Sequence, residues 1–176
     1  MDFLELAKSR YSVRKFKDTA IEPEKLDKII AAGMAAPTAR NRQPQRIYVI
    51  KSAEGLEKIN ACSPCIYNAP CVLLVCYDNI NGAADDPVVC EKDYHYRSRF
   101  GEHDSAIVTT HMMLEAWDLG IGSCIVGFFD IEKVRKEFSL PEDLFPMVLL
   151  PIGYADMEAG PRHYESKKAE EIVQEV

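Results

Sequence analysis

The residues best suited to bind a ligand lie near the N-terminus, in the stretch RYSVRKF at residues 10–16. Arg10 and Arg14 flank the hydroxyl of Ser12, and the stretch contains no acidic residue. In an extended segment alternate side chains point the same way, so these three would share one side. Guanidinium groups bind phosphate through paired hydrogen bonds, and a serine hydroxyl adds a donor. The pattern predicts an anion site, although a solvated basic turn is the simpler interpretation of the segment taken alone.

The overall charge and hydropathy exclude several classes of protein. The formal net charge is -7, so the basic segment is a local feature of an acidic chain, whereas nucleic-acid binders more often carry excess positive charge. The longest apolar run, residues 71–77, has the length of a strand and not of a membrane span. With 176 residues and 47% hydrophobic content, we expect residues 1–176 to form a single domain.

The cysteines indicate a reducing environment. Cys71, Cys76 and Cys124 lie within apolar runs, where cysteine behaves as a small hydrophobic residue, and we therefore expect a cytoplasmic protein. Cys62 and Cys65 form a CxxC pair, which could be a redox dithiol, half of a zinc site or a pair without function. Because the sequence has no second CxxC, we predict no metal site.

Hydrophobic spacing and capping residues predict a sheet flanked by helices. The predicted strands are residues 46–50, 71–77, 123–126 and 147–154, and the predicted helices begin at Pro23, after Ser52, near Asp104 and after Asp130. The strand at 71–77 is apolar on both faces and should lie in the middle of the sheet. The uneven spacing of the helices argues against a regular alternation of parallel strands and helices.

Two further predictions concern the middle of the chain. In the long helix, Ile107, Leu114 and Trp117 are expected on the buried side, and His111 is interpreted as a core histidine. The stretch 78–92 is rich in turn-forming and acidic residues and is longer than most connections, so it could be a lid.

The C-terminal segment, residues 155–176, is polar until Ile172 and Val173. Such a segment cannot offset the conformational entropy of ordering by its own burial. It either frays or lies along a partner, and the second alternative suggests a dimer with an exchanged C-terminal arm.

Five short motifs stand in order along nearly the whole chain. They are RYSVRKF at residues 10–16, APTARNRQP at 36–44, APCV at 69–72, LGIGSC at 119–124 and PIGY at 151–154. In this order and at these separations they resemble the nitroreductase family of FMN-dependent oxidoreductases. The chain departs from the family pattern at Thr38, where serine is usual, and at Tyr164, where many members carry a second cation of the tail.

The resemblance implies an α+β fold with a mostly antiparallel central sheet flanked by helices. It also implies a homodimer with an exchanged C-terminal arm and FMN at the subunit interface. Carried over position by position, the cofactor-binding residues would be Arg10, Tyr11, Ser12, Arg14, Pro37, Thr38, Ala39, Asn41, Ile125, Val126, Gly127 and Arg162.

The resemblance also assigns roles to these residues. Arg10, Ser12 and Arg162 would contact the phosphate and ribityl chain, and Arg14 would be the cation near the pyrimidine edge. Residues 37–41 would come from the second subunit. The backbone of residues 125–127 would face the isoalloxazine ring, with an amide near N5.

The implied activity is an FMN-dependent NAD(P)H oxidoreductase that passes electrons to nitroaromatic, quinone or similar small acceptors by a ping-pong mechanism. Because the flavin carries the hydride, no catalytic side chain is implied. One alternative is a dehalogenase or flavin-fragmenting enzyme of the same fold, for which residues 78–103 would have to form the lid. Others are a non-catalytic FMN-binding protein and a thiol redox protein that uses Cys62 and Cys65.

Overall fold

The computed structural model describes residues 2–78 and 100–176. Its helices are α1 (Phe3–Ser9), α2 (Pro23–Met34), α3 (Ala53–Cys62), α4 (Phe100–Asp118), α5 (Ile131–Glu137) and α6 (Ala169–Ile172), and its strands are β1 (Gln45–Ile50), β2 (Cys71–Asp78), β3 (Gly122–Ser123) and β4 (Leu144–Gly153). Two short 3-10 turns cover Ala39–Asn41 and Pro161–His163. Most of the stretch predicted as a lid lies outside the described residues.

The four strands of the described ranges form one antiparallel sheet in the order β1-β2-β4-β3. Leu73 of β2 lies opposite Val49 of β1 on one side and opposite Leu150 of β4 on the other. The first six residues of β2 are buried, which its apolar sequence on both faces predicts. The prediction of an α+β fold with an antiparallel central sheet is confirmed.

Helices cover both faces of this sheet. The odd-numbered residues at 71–75 pack in one cluster with Ile29 of α2 and Met112 of α4. The even-numbered residues at 72–76 pack in a second cluster with Ile59 of α3 and Val134 of α5. Successive side chains of a strand point to opposite faces, so β2 joins the two halves of the core.

Helix α4 buries a different face from the predicted one. Its buried residues are Gly101, Asp104, Ser105, Val108, Thr109, Met112 and Ala116. Ile107 is 38% exposed, and Leu114 and Trp117 are only half-buried. His111 is exposed, with its ring Nδ1 2.9 Å from the carbonyl oxygen of Ile107, so the prediction of a core histidine was wrong.

The close approach of α2 to α4 explains this choice of face. A Cβ atom at Gly33 would lie 2.6 Å from Cγ of Met112, so the absence of a side chain at Gly33 lets the Met112 side chain pack closely against α2. Met112 is fully buried in that contact. Periodicity within α4 alone does not contain this information, because the space is created by a residue of another helix.

The ends of the elements follow local rules. Gly120 has φ +76° and ends α4 in the left-handed conformation that favours glycine. The side chains of Ser52 and Asp130 accept backbone N–H groups of the first turns of α3 and α5, as predicted. Within residues 2–78 and 100–176, no helix is both long and apolar enough to cross a lipid bilayer.

The C-terminal segment makes its backbone contacts with the core near its beginning. Ala155 forms a bridge with Phe16, and the N–H of Asp156 donates to the carbonyl oxygen of Lys15 at 2.9 Å. Every residue from 164 to 176 is exposed. The absence of burial in this segment agrees with its sequence, and the arm exchange stays a prediction.

Candidate functional site

The basic segment at residues 10–16 is extended and is attached to the edge of the sheet. Ser12 forms a parallel bridge with Ser123 of β3, and the N–H of Val13 donates to the carbonyl oxygen of Ser123 at 2.9 Å. The side chain of Val13 is fully buried, and Phe16 is buried as well. The segment is thus fixed by both backbone pairing and burial.

Gly122 makes this attachment possible. A Cβ atom there would lie 2.6 Å from Cγ2 of Val13 and 3.3 Å from the carbonyl oxygen of Gly153. Any side chain at this position would push the basic segment away from β3. The small-residue motif after α4 therefore positions the arginines.

Arg10, Ser12 and Arg14 open onto a cavity of about 350 Å³ between the basic segment and the C-terminal segment. Its lining residues are Arg10, Tyr11, Ser12, Arg14, Met157, Gly160, Arg162 and His163. The predicted cofactor residues of the N-terminus are therefore brought together with Arg162 from the other end of the chain. The alternation predicted for the segment holds for Val13, which points into the core, whereas Tyr11 also reaches the cavity edge.

The cavity carries the positive charge of three arginines, none of which forms an ion pair with a carboxylate of the described residues. Among residues 2–78 and 100–176, the ion pairs given by the structure use Lys15, Lys25, Arg46 and Lys58. None of them involves the three arginines of the cavity. Three guanidinium groups that have no carboxylate partner among the described residues, beside a serine hydroxyl, are a set of donors that suits an anion with several oxygens, such as a phosphate.

The cavity residues Met157 and His163 were missed from the sequence. The Tyr11 hydroxyl donates to the carbonyl oxygen of Met157 at 2.7 Å, and the N–H of Arg14 lies 3.1 Å from the Met157 sulfur. The ring of His163 meets Tyr11 edge-on, with centroids 6.0 Å apart. No local pattern marks these residues, because the path of the C-terminal segment alone brings them to the arginines.

The residues after β3 continue alongside the basic segment. Val126 pairs with Leu149 of β4 and is buried, whereas Ile125 is 46% exposed and Gly127 is exposed. A Cβ atom at Gly127 would meet no atom within 4 Å. Among the described residues, Ile125, Val126 and Gly127 do not line the arginine cavity, but their backbone leads directly from Ser123, the partner of Ser12.

Two further side chains adjoin Arg14 and were not predicted as site residues. Burial raises the pKa of the Cys124 thiol, and Arg14 and Ser12 oppose that rise. Burial also raises the pKa of Tyr67, the neighbouring Cys65 thiol adds to it, and Arg14 opposes it. Tyr67 adopts a left-handed backbone with φ +58°, which is uncommon for a large side chain and often marks functional sites.

The Cys62 thiol of the CxxC pair does not have the features of a reactive cysteine. The Cys62 thiol is buried and donates to the carbonyl oxygen of Lys58 at 3.2 Å, and burial raises its pKa. A raised pKa lowers the fraction of thiolate, which is the nucleophilic form. Within the described ranges, no group of His, Cys, Asp and Glu residues could hold a metal ion.

Residues 38–43 form a tight turn that includes the 3-10 segment Ala39–Asn41. Arg40, Asn41 and Gln43 all have positive φ, between 51° and 54°, a conformation that costs a non-glycine residue about 1–2 kcal/mol. The hydroxyl of Thr38 accepts the N–H of Gln43 at 3.0 Å. The N–H of Ala39 donates to the Asp104 carboxylate, with distances of 3.1 and 3.2 Å to its two oxygens.

The cofactor residues predicted in this turn do not join the others within one chain. In the part of the chain that the structure describes, Pro37, Thr38, Ala39 and Asn41 are absent from the lining of the arginine cavity. Pro37 and Asn41 are exposed, and Thr38 and Ala39 are half-buried. A contribution from a second subunit, as the resemblance implies, stays a prediction.

Comparison with known proteins identifies the family. The family model described as "Nitroreductase family" matches residues 7–63 and 60–154. A provisionally named NADH dehydrogenase/NAD(P)H nitroreductase of Methanothermobacter thermautotrophicus is 31% identical over 169 residues, which are 92% of this chain and 82% of that protein. An NADPH-dependent oxidoreductase of Staphylococcus aureus is 28% identical, with 88% of this chain and 66% of that protein covered.

Solved structures agree with this result. The crystal structure of a nitroreductase family protein from Clostridium difficile 630 has 39% identity and a TM-score of 0.87, with 99% of this chain and 98% of that chain covered. A nitroreductase family protein from Clostridium novyi NT has 27% identity and a TM-score of 0.75, with 89% and 86% covered. The motifs, the fold and these matches together show that the chain belongs to the nitroreductase family.

Proposed function

We propose that this protein is an FMN-dependent NAD(P)H oxidoreductase that delivers electrons to small nitroaromatic, quinone or similar acceptors. The observation that carries the proposal is the cavity in which Arg10, Arg14 and Arg162 meet beside Ser12 without carboxylate partners among the described residues. A phosphate-bearing cofactor suits this set of donors. The names of the Methanothermobacter and Staphylococcus relatives support nicotinamide as the reductant.

The N-terminal and C-terminal residues hold the cofactor in this proposal. Arg10, Ser12 and Arg162 bind the phosphate and the adjoining hydroxyls, and Tyr11 fixes the C-terminal segment against them through Met157. Arg14 supplies positive charge near the pyrimidine edge of the ring. A cation at that place stabilises negative charge more strongly when the ring is reduced than when it is oxidised.

The segment after β3 forms the other wall for the ring. Val126 is buried and paired with β4, which holds the backbone of residues 125–127 rigid. Gly127 has open space beside it, so a planar group can approach the backbone closely. The N–H of Val126 donates to the carbonyl oxygen of Leu149 at 2.9 Å, so in this proposal the N–H groups of Ile125 and Gly127 would orient the flavin ring.

A second copy of the chain completes the site. The exposed turn at residues 37–41 contributes from the partner, and the C-terminal arm lies across it. Large apolar side chains that one chain leaves exposed become covered in this dimer; they include Phe3, Leu4, Met34, Phe128, Tyr164, Ile172 and Val173. Burial of these apolar side chains against a second copy would stabilise such a dimer.

FMN supplies hydride chemistry when it is bound, so the chain needs no nucleophile or acid–base pair. The protein binds NAD(P)H, releases the oxidised nicotinamide and then binds the acceptor at the same place. This order is a ping-pong mechanism. The burial of Cys62 and the rise in its pKa argue against Cys62 as the nucleophile of a thiol redox protein.

An absorbance spectrum of the purified protein tests the proposal. We expect a yellow protein whose flavin is released by denaturation, bleached by NADH or NADPH, and recoloured by a nitroaromatic or a quinone. Double-reciprocal plots at several acceptor concentrations should be parallel. A protein that stays colourless with micromolar FMN contradicts the proposal, and one whose bound flavin is not bleached by either nicotinamide is a non-catalytic flavin carrier.

A further inference from the structure

The carboxylate of Asp104 is buried in the first turns of α4. Asp104 is 4% exposed, and both of its oxygens lie within hydrogen-bond distance of the N–H of Ala39. Burial raises the pKa of Asp104, whereas the bond from Ala39 and the nearby His103 lower it. Burying a carboxylate is unfavourable unless it is well hydrogen-bonded, so this contact satisfies a group that would otherwise destabilise the fold.

The contact reaches a turn that is under backbone strain. Arg40, Asn41 and Gln43 are all in the left-handed region. Such conformations persist only where surrounding contacts determine them. The bond between Thr38 and Gln43 is internal to the turn, whereas the bond from Ala39 connects the turn to another element.

Helix α4 is suited to hold the turn because it is part of the core. Val108 and Met112, one and two turns after Asp104, are fully buried, and Met112 fills the space beside Gly33 of α2. The hydrogen bond that the Ala39 N–H donates to this helix therefore links the turn to a rigid part of the core.

We propose that Asp104 is a positioning residue, which fixes residues 38–41 in the conformation in which they contribute to the cofactor site. This inference rests on the proposed function, because it assumes that the turn binds FMN. Asp104 itself acts through the backbone of Ala39 and not on the cofactor.

The test uses three variants of the full chain. Asp104→Ala removes the acceptor, and Asp104→Asn keeps one acceptor oxygen without the charge. The matched control is Ser105→Ala, because Ser105 is fully buried in the same helical turn and its hydroxyl has no hydrogen-bond partner among the described residues. The measurements are amide hydrogen exchange of the peptide covering residues 38–43 in the FMN-free protein, and FMN affinity from flavin fluorescence.

We expect Asp104→Ala to speed exchange in this peptide and to weaken FMN binding by roughly tenfold or more, as for the loss of a charge-assisted hydrogen bond. Asp104→Asn should restore slow exchange in part and bind FMN within about threefold of the wild type, since an amide oxygen still accepts the bond. Ser105→Ala should match the wild type in both measurements. If Asp104→Ala does not fold, the exchange rate of Asp104→Asn compared with Ser105→Ala carries the test.

Two results would overturn the inference. Unchanged exchange in both Asp104 variants would mean that the carboxylate does not hold the turn. Faster exchange with wild-type FMN affinity would mean that the turn is held but does not serve the cofactor. A wild-type protein that binds no FMN would overturn the proposed function itself, and the exchange data would then still show whether Asp104 holds the turn.

Discussion

The two ends of the chain line the same cavity, but they are held there by different means. At the N-terminal end, Val13 is fully buried and paired with β3, so Arg10 and Arg14 project from a segment that belongs to the core. At the C-terminal end, Arg162 follows a segment whose contacts with the core lie near residues 155–157, and everything after residue 163 is exposed. The core therefore fixes the N-terminal lining residues of the cavity. The position of the C-terminal lining residues depends on what covers the C-terminal segment.

The largest effect is expected from deleting the C-terminal residues that line the cavity, because few contacts hold them to the core. A chain that ends after Glu158 lacks Arg162 and the exposed arm but keeps the contacts of Asp156 and Met157. We expect the core to stay folded by circular dichroism, while the dimer dissociates and FMN affinity falls by more than the loss from Arg162→Ala alone. Sedimentation and fluorescence titration are the measurements. A truncated chain that stays dimeric and binds FMN like the wild type would show that the arm is not exchanged.

Replacing the arginines one at a time separates the roles of the two ends. Arg162→Ala should weaken FMN binding roughly ten- to hundredfold, since losing a charge-assisted hydrogen bond costs about 1.5–3 kcal/mol. Arg14→Ala should also lower the reduction potential of the bound flavin, because only a cation near the ring senses its change of charge. The measurement is the redox midpoint of FMN-saturated wild type and variants. Equal redox midpoints in the wild type and both variants would mean that Arg14 contacts only the phosphate.

The N-terminal side of the cavity can be destabilised by a substitution at Gly122, which lies against Val13. Gly122→Val places a side chain against Val13, and we expect a loss of about 1–3 kcal/mol in the free energy of unfolding, which is typical of overpacking. The matched control is Gly127→Ala, where an added Cβ atom meets nothing within 4 Å and stability should change by less than about 0.5 kcal/mol. Urea denaturation measures both. Equal stabilities would mean that the basic segment moves away from β3 without cost.

The smallest effect concerns the contacts between the two ends. Tyr11→Phe removes the hydrogen bond to the Met157 carbonyl and should lower stability by about 0.5–1.5 kcal/mol. Lys15→Ala removes the exposed ion pair with Asp156 and should have no measurable effect, because exposed pairs are screened by solvent. The measurement is the thermal unfolding temperature of the two variants and the wild type. A larger loss for Lys15→Ala would mean that electrostatics, and not the Tyr11 hydrogen bond, joins the ends.

Several features of this protein could be predicted because they depend on neighbouring residues alone. A strand that is apolar on both faces had to be central, and β2 lies between two partners. The caps at Ser52 and Asp130 and the left-handed Gly120 are local backbone chemistry. The cluster of basic and hydroxyl side chains could be recognised because Arg10, Ser12 and Arg14 are close in sequence.

Other features were decided only by tertiary contacts. The buried face of α4 depends on the space that Gly33 leaves in α2, so the helix exposes Ile107 and buries Asp104. Likewise, no local pattern indicates that the Met157 carbonyl would accept the Tyr11 hydroxyl, since the two residues lie 146 positions apart in the sequence. The sequence by itself determined the elements, the family and the basic segment, because short-range periodicity and residue chemistry encode them. Tertiary structure decided which faces are buried and which distant residues complete the cavity, because those depend on packing between elements.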